Sequence, residues 1–124
     1  MRKWNIRTFT ADDGGKPVDD WLLKLPASAA ARIVWIIDLL EKHGIDLDMP
    51  FARHLGDGIW ELRARLGGNT WRVLYFHWRG RTFGLLHAFT KKTQQTPRAE
   101  IEIAKDRRAT WLRRERDRKR GAKS

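Results

Sequence analysis

Apolar and polar positions change period along the chain, and the changes mark its elements. KWNIRTF, residues 3–9, alternates weakly with Trp4, Ile6 and Thr8 on one side and predicts a first strand. TADDGGKP is a turn, after which Pro17 opens VDDWLLKL, a short helix stopped by Pro26. ASAAARIVWIIDLLEKHG is a long helix. Its Ala29, Ile33, Ile36, Ile37 and Leu40 recur at helical spacing, and Gly44 stands where a C-terminal cap belongs. IDLDMPFARHLGDG reads as a loop. The period then becomes two: IWELRARL puts Trp60, Leu62 and Ala64 on one face and Glu61, Arg63 and Arg65 on the other. GGN and RGR are turns joining it to TWRVLYFHW and TFGLLHAF, which makes an antiparallel meander. From Pro97, RAEIEIAKDRRATWLRRERDRKR is a closing helix that frays into a basic tail over residues 105–124.

The order strand, two helices, three-strand meander, helix predicts an α+β fold. Helices pack on a small twisted antiparallel sheet, as a single domain over residues 1–124. TWRVLYFHW is apolar on both faces, so the middle strand is covered on both sides or has a partner waiting.

Composition sharpens the partner class. The 124 residues carry a formal charge of +11, which favours nucleic acid, an anionic membrane surface or an acidic protein. Ten basic and three acidic residues from Lys105 onward contribute +7 of that charge, so it is concentrated at the C-terminal end. With no cysteine, disulfides and thiolate metal sites are excluded. MRKWNIRTF lacks the apolar core of a secretory signal, and no apolar run approaches the roughly 20 residues of a membrane span, so a soluble cytoplasmic protein is expected.

Candidate chemistry gathers on the polar face of the hairpin. Arg63 on one strand, Arg72 on the next, and Lys91 and Lys92 after the third converge at one edge of a meander. Several cations around a cleft suit a phosphodiester whose charge rises in the transition state. Solvated strand-edge charges have the same pattern. Of the four histidines, His43 ends a helix, where the dipole accounts for it. His77 lies in a strand, and His87 alternates in phase with Phe83, Leu85 and Phe89 as a core histidine. His54, in the loop, is the freer acid or base candidate. No metal-ligand spacing, no GxSxG and no GxGxxG appears, so neither a metal nor a cofactor is expected.

The stretches LGDGIWELRARLGGNTWRVLYF and LLHAFTKKTQQTPRAEIEIA, spanning residues 55–104, resemble the phage-derived, HigB-like branch of the RelE/ParE toxin superfamily. The shared features are a glycine, an aromatic residue and ELR, then a strand of the form aromatic, Arg, two hydrophobics, Tyr, then Phe-x-Lys-Lys ahead of a TP helix start. The resemblance implies a toxin of a type II toxin–antitoxin pair that cleaves mRNA on the ribosome. It also implies a separate antitoxin, commonly of helix-turn-helix type. Arg72 matches the arginine of the second hairpin strand. Arg63 and Lys91 or Lys92 fall on positions that are basic in RelE-type enzymes. RelE-type toxins carry a further basic residue where this chain has Glu61, and a tyrosine near the C-terminal helix, whereas the only tyrosine here is Tyr75. The histidines and acids near the C-terminus of HigB enzymes are not matched.

These residues fit attack of an RNA 2′-hydroxyl on its own adjacent phosphate. Arg72 and Arg63 stabilise the phosphorane, Lys91 and Lys92 meet the backbone or leaving oxygen, and His54 or Glu61 moves protons. Arg65 on the hairpin and Arg113 and Arg114 in the tail are the expected RNA contacts. Leu74, Phe76 and Trp78, in phase with Arg72, form either part of the apolar surface an antitoxin helix covers or an ordinary second core. A gyrase poison of the ParE kind and a nonenzymatic nucleic-acid-binding module are the alternative functions.

Overall fold

The computed structural model describes residues 3–91 and 95–123. The chain forms β1 (Asn5–Thr8), α1 (Pro17–Leu23), α2 (Ala27–His43), a 3-10 turn (Gly44–Asp46), β2 (Ala52–Gly56), β3 (Ile59–Leu66), β4 (Asn69–Arg79), β5 (Thr82–Lys91) and α3 (Arg98–Lys123). The α+β class is as expected. Five strands are ordered β1-β5-β4-β3-β2, and because β1 pairs parallel to β5 the sheet is mixed rather than antiparallel throughout. β2 replaces part of the expected loop. Only Ala52 of its residues is buried, so it shows no inward alternation to betray a strand.

β4 is the central strand, and each face of it has its own core. Trp71, Val73 and Tyr75 pack with Leu62, Ala64, Phe83 and Leu85 beneath α1 and α2. Leu74 and Phe76 pack with Ile59, Leu86, Phe9 and Ala104 beneath α3. Two-sided burial explains the unbroken apolar run. Leu74 and Phe76 are buried and Trp78 is partly so. The surface expected to receive an antitoxin is therefore taken up within the chain, as a second core.

Gly44 closes α2 at φ +58°, and a Cβ there would meet the Trp4 indole at 2.0 Å. No other residue fits that combination of backbone and contact. Trp4 is stacked on Phe83 at 4.9 Å between ring centres, so the helix end is fitted against the β1–β5 edge.

α3 does not fray after Lys105 but remains helical to Lys123. Its apolar anchors are few: Ile101, Ala104 and Trp111 face the sheet. Basic side chains provide much of the remaining attachment. Arg107 donates to the Leu86 carbonyl at 2.9 Å, Arg108 to that of Asp57, and Arg114 to that of Thr10 and to Asp12. Lys105 pairs with Asp57 at 2.6 Å, and Glu115 accepts from Trp78 and Arg79, both at 2.6 Å. Arg114, expected to contact RNA, is thus engaged inside the molecule, whereas Arg113 is exposed.

A register shift in β5 changes the expected alternation. Tyr75 pairs with Leu85 but Leu74 pairs with His87, which leaves Leu86 as an extra residue. His87 and Phe89 consequently lie on the α3 face, opposite Phe83 and Leu85. His87 sits between Glu100, 3.2 Å from Nε2, and Arg107, which donates to Nδ1 at 3.2 Å. The neutral ring satisfies both, with Nδ1 accepting and Nε2–H donating. Burial lowers its pKa, with Arg107 acting in the same direction and Glu100 opposing.

Two outcomes are expected. Gly84 lies under α3, where an added Cβ would come within 2.6 Å of Phe76 and 2.8 Å of Trp111. Gly84→Ala should cost about 1–3 kcal/mol in urea unfolding through overpacking. For His87, the folded state resists a proton that the unfolded chain accepts near 6.5, so its contribution is intact above that pH. Stability should fall as pH drops below it, and in His87→Gln this component of the pH dependence should disappear.

Candidate active site

The β3–β4 hairpin turns through Gly67 and Gly68, with Gly67 at φ +62° and Leu66 paired with Asn69. So short a turn fixes the register, which places Arg63 directly opposite Arg72. The pairing anticipated from the sequence is present. Like charges at that spacing repel, and the fold answers with Glu61, two residues before Arg63 on the same face. Glu61 Oε2 is 3.6 Å from Arg72 Nη1, and its Oε1 is 3.6 Å from Arg63 Nε. Thr96, just before α3, accepts from Arg72 Nη1 at 3.0 Å and donates to Glu61 Oε2.

These groups are not the solvated edge charges that alternation suggests. Glu61 and Arg72 are 0% exposed and Arg63 is 8% exposed. Charges this deep require mutual pairing, because an unpaired one would carry a desolvation cost of several kcal/mol. Burial pushes the Arg63 guanidinium pKa down and Arg72 adds to this, while Glu61 opposes. Two guanidiniums flank the Glu61 carboxylate, and Arg63 is the more accessible of the two.

Arg63 also lines a groove of about 490 Å³ with Arg32, Trp35, Phe51 and Arg65. The Arg32 guanidinium stacks 4.5 Å above the Trp35 ring, and its Nε donates to the Arg65 carbonyl at 3.1 Å. Phe51 meets Trp35 edge to face at 5.6 Å. On the edge strand, exposed Arg53 lies opposite Glu61 in the β2–β3 register and so shares the face of the arginine cluster. The basic face therefore runs from Arg53 through Arg63 to Arg65, beyond the N-terminal end of α3.

Other expected members are placed differently. His54 belongs to β2, not to a loop, and is exposed. It pairs with Trp60, on which its ring lies at 4.7 Å, and so shares the α1–α2 face, across the sheet from the arginines. Lys91 pairs through its backbone with Thr70 at the end of β5; Lys92 and the side chain of Lys91 lie outside the described residues. Tyr75 is buried in the α1–α2 core, where desolvation raises its pKa, so it is unsuited to proton transfer. Sequence reasoning missed Thr96, Arg53, Arg32 and Trp35. The arginine stacked on a tryptophan three residues later was the one local signal available.

Residues 20–109 match the family described as phage-derived protein Gp49-like. Two proteins named probable endoribonuclease HigB1, from Mycobacterium tuberculosis strains CDC 1551 / Oshkosh and ATCC 25618 / H37Rv, are each 36% identical over 115 residues. The alignments cover 91% of this chain and 87% of theirs. The family match contains Glu61, Arg63, Arg72 and Thr96 within it. The chain belongs to the phage-derived Gp49-like family, in the HigB-like branch of the RelE/ParE toxin superfamily.

Proposed function

We propose that this protein is the toxin of a type II toxin–antitoxin pair, a ribosome-dependent, metal-independent endoribonuclease that cuts mRNA and is neutralised by a cognate antitoxin of helix-turn-helix type. The observation that carries the reading is the buried Arg63–Glu61–Arg72 cluster, which brings two guanidiniums together with Arg63 lining a groove. Likeness to relatives named endoribonucleases supports the reaction class. Among the described residues no helix is long and apolar enough to cross a membrane, and the setting proposed for the reaction is the cytoplasm, where translation takes place.

In the reaction, the 2′-oxygen attacks its neighbouring phosphorus and the bond to the 5′-oxygen breaks. The products are a 2′,3′-cyclic phosphate and a 5′-hydroxyl, with one proton moved from the attacking to the departing oxygen. In-line geometry is the main requirement, and a ribosome holding the codon supplies it. Arg63 stabilises the charge that develops on the phosphorane. Arg72 and Glu61, sealed from solvent and committed to each other, act as positioning residues that hold the Arg63 side of the cluster. Arg53 and Arg65 flank the strand, and Lys91 and Lys92 meet its backbone or leaving oxygen.

The test is cleavage of a defined message in a purified translation system, mapped by primer extension with and without ribosomes. Wild-type protein should cut only when ribosomes are present, and Arg63→Ala should lower the rate by about 10²–10³. Arg72→Ala should abolish cutting and also lower stability by about 3–5 kcal/mol, since it leaves Glu61 short of a buried partner. An intact message with wild-type protein would refute the reading and make gyrase inhibition the next assay.

A further inference from the structure

A second basic pocket lies away from the arginine cluster, between β1, the end of β4 and the second half of α3. It has a volume of about 170 Å³, and Arg7, Trp78, Trp111, Arg114 and Arg118 are among its walls. Its aromatic wall is fixed. The Trp78 ring N–H is held by Glu115 at 2.6 Å, and Trp111 meets both Trp78 and Phe76 edge to face at 5.4 Å. Arg79 and Arg7 stack on the Trp78 ring, at 4.2 and 5.5 Å from its centre.

The cations here are not equivalent. Arg114 is engaged by Asp12 and the Thr10 carbonyl, and Arg79 by Glu115. Arg7 and Arg118 are exposed, and among the described residues neither has a carboxylate partner. A guanidinium stacked on an indole directs its N–H edge along the ring plane and loses little freedom when an anion arrives. The space is sufficient for a sugar–phosphate unit, with the indole edges against the sugar.

We infer that this pocket is a second RNA site, binding a phosphodiester of a single strand through Arg7 and Arg118 against the Trp78–Trp111 wall. RNA as the source of the phosphate rests on the endoribonuclease reading; the pocket itself does not. From its start at Arg98, just after Thr96, to Trp111 α3 advances about 20 Å, so a strand seated here is engaged several nucleotides from the cluster. The two sites would then hold separate parts of one RNA.

The experiment is fluorescence anisotropy with a short labelled single-stranded RNA carrying 2′-O-methyl groups throughout. It cannot be cut, so binding is read independently of catalysis. The Arg7→Ala/Arg118→Ala double variant should bind about tenfold more weakly, and its logarithmic salt slope should be shallower by about 0.7, for the one phosphate no longer neutralised. Arg118→Glu alone, a change on the exposed helix surface, should weaken binding in the same direction. Arg116→Ala/Arg120→Ala removes equal charge from the other side of α3 and should change affinity by less than about twofold. Equal losses in the two double variants would mean diffuse attraction to the helix and would overturn the pocket. Competition by polyglutamate as effective as that by oligouridylate at equal charge would overturn the assignment to RNA. Cleavage on the ribosome is scored separately, so either reading can fail while the other stands.

Discussion

The attachment of α3 to the sheet is the constraint on which the rest of the structure depends. A strand as apolar as β4 needs cover on both faces, yet α3 is a strongly basic helix with few large apolar side chains. The fold resolves this with a short apolar contact at Ile101, Ala104 and Trp111, flanked by arginines that donate to carbonyls of β5 and neighbouring loops. Such charge-assisted bonds satisfy backbone acceptors and at the same time fix the helix along the sheet. Much of the C-terminal charge therefore has an internal task.

That placement also determines where chemistry is possible. α3 begins just after Thr96, so the end of β3 and β4 that carries Arg63 and Arg65 extends beyond the helix. Thr96 itself joins the buried Glu61–Arg72 pair, linking the helix start to the charged cluster. The groove on the neighbouring edge is formed by α2 and the segment leading into β2. Two helices of different character thus frame one basic surface, with Arg63 where the buried network meets solvent.

The hairpin and its arginine pair were legible in the sequence, because a glycine turn sets register and register sets neighbours. The depth of the pair was not. Alternation assigns Glu61 and Arg63 to solvent, whereas mutual pairing lets them sit inside. Thr96 is remote in sequence from both partners and carries no periodic signal. Nor could spacing reveal the extra residue at Leu86, which turns His87 toward α3, or the parallel pairing of so short a strand as β1. His54 was misplaced because β2 is an edge strand with mostly exposed side chains. Leu74, Phe76 and Trp78 presented two readings that only the position of α3 could separate.

The parallel pairing of β1 with β5 has a consequence for the timing of synthesis. Asn5 finds its sheet partner at Thr82, and the second core is completed by side chains as late as Trp111. During translation the first strand must wait until β5 has been made, and α3 follows the sheet that it covers. Until α3 has been made, Leu74 and Phe76 of β4 lack the cover of the second core. The α1–α2 core, which needs nothing beyond β5, can thus close before the α3 core, and the order of synthesis sets the order in which the two faces of the sheet are sealed.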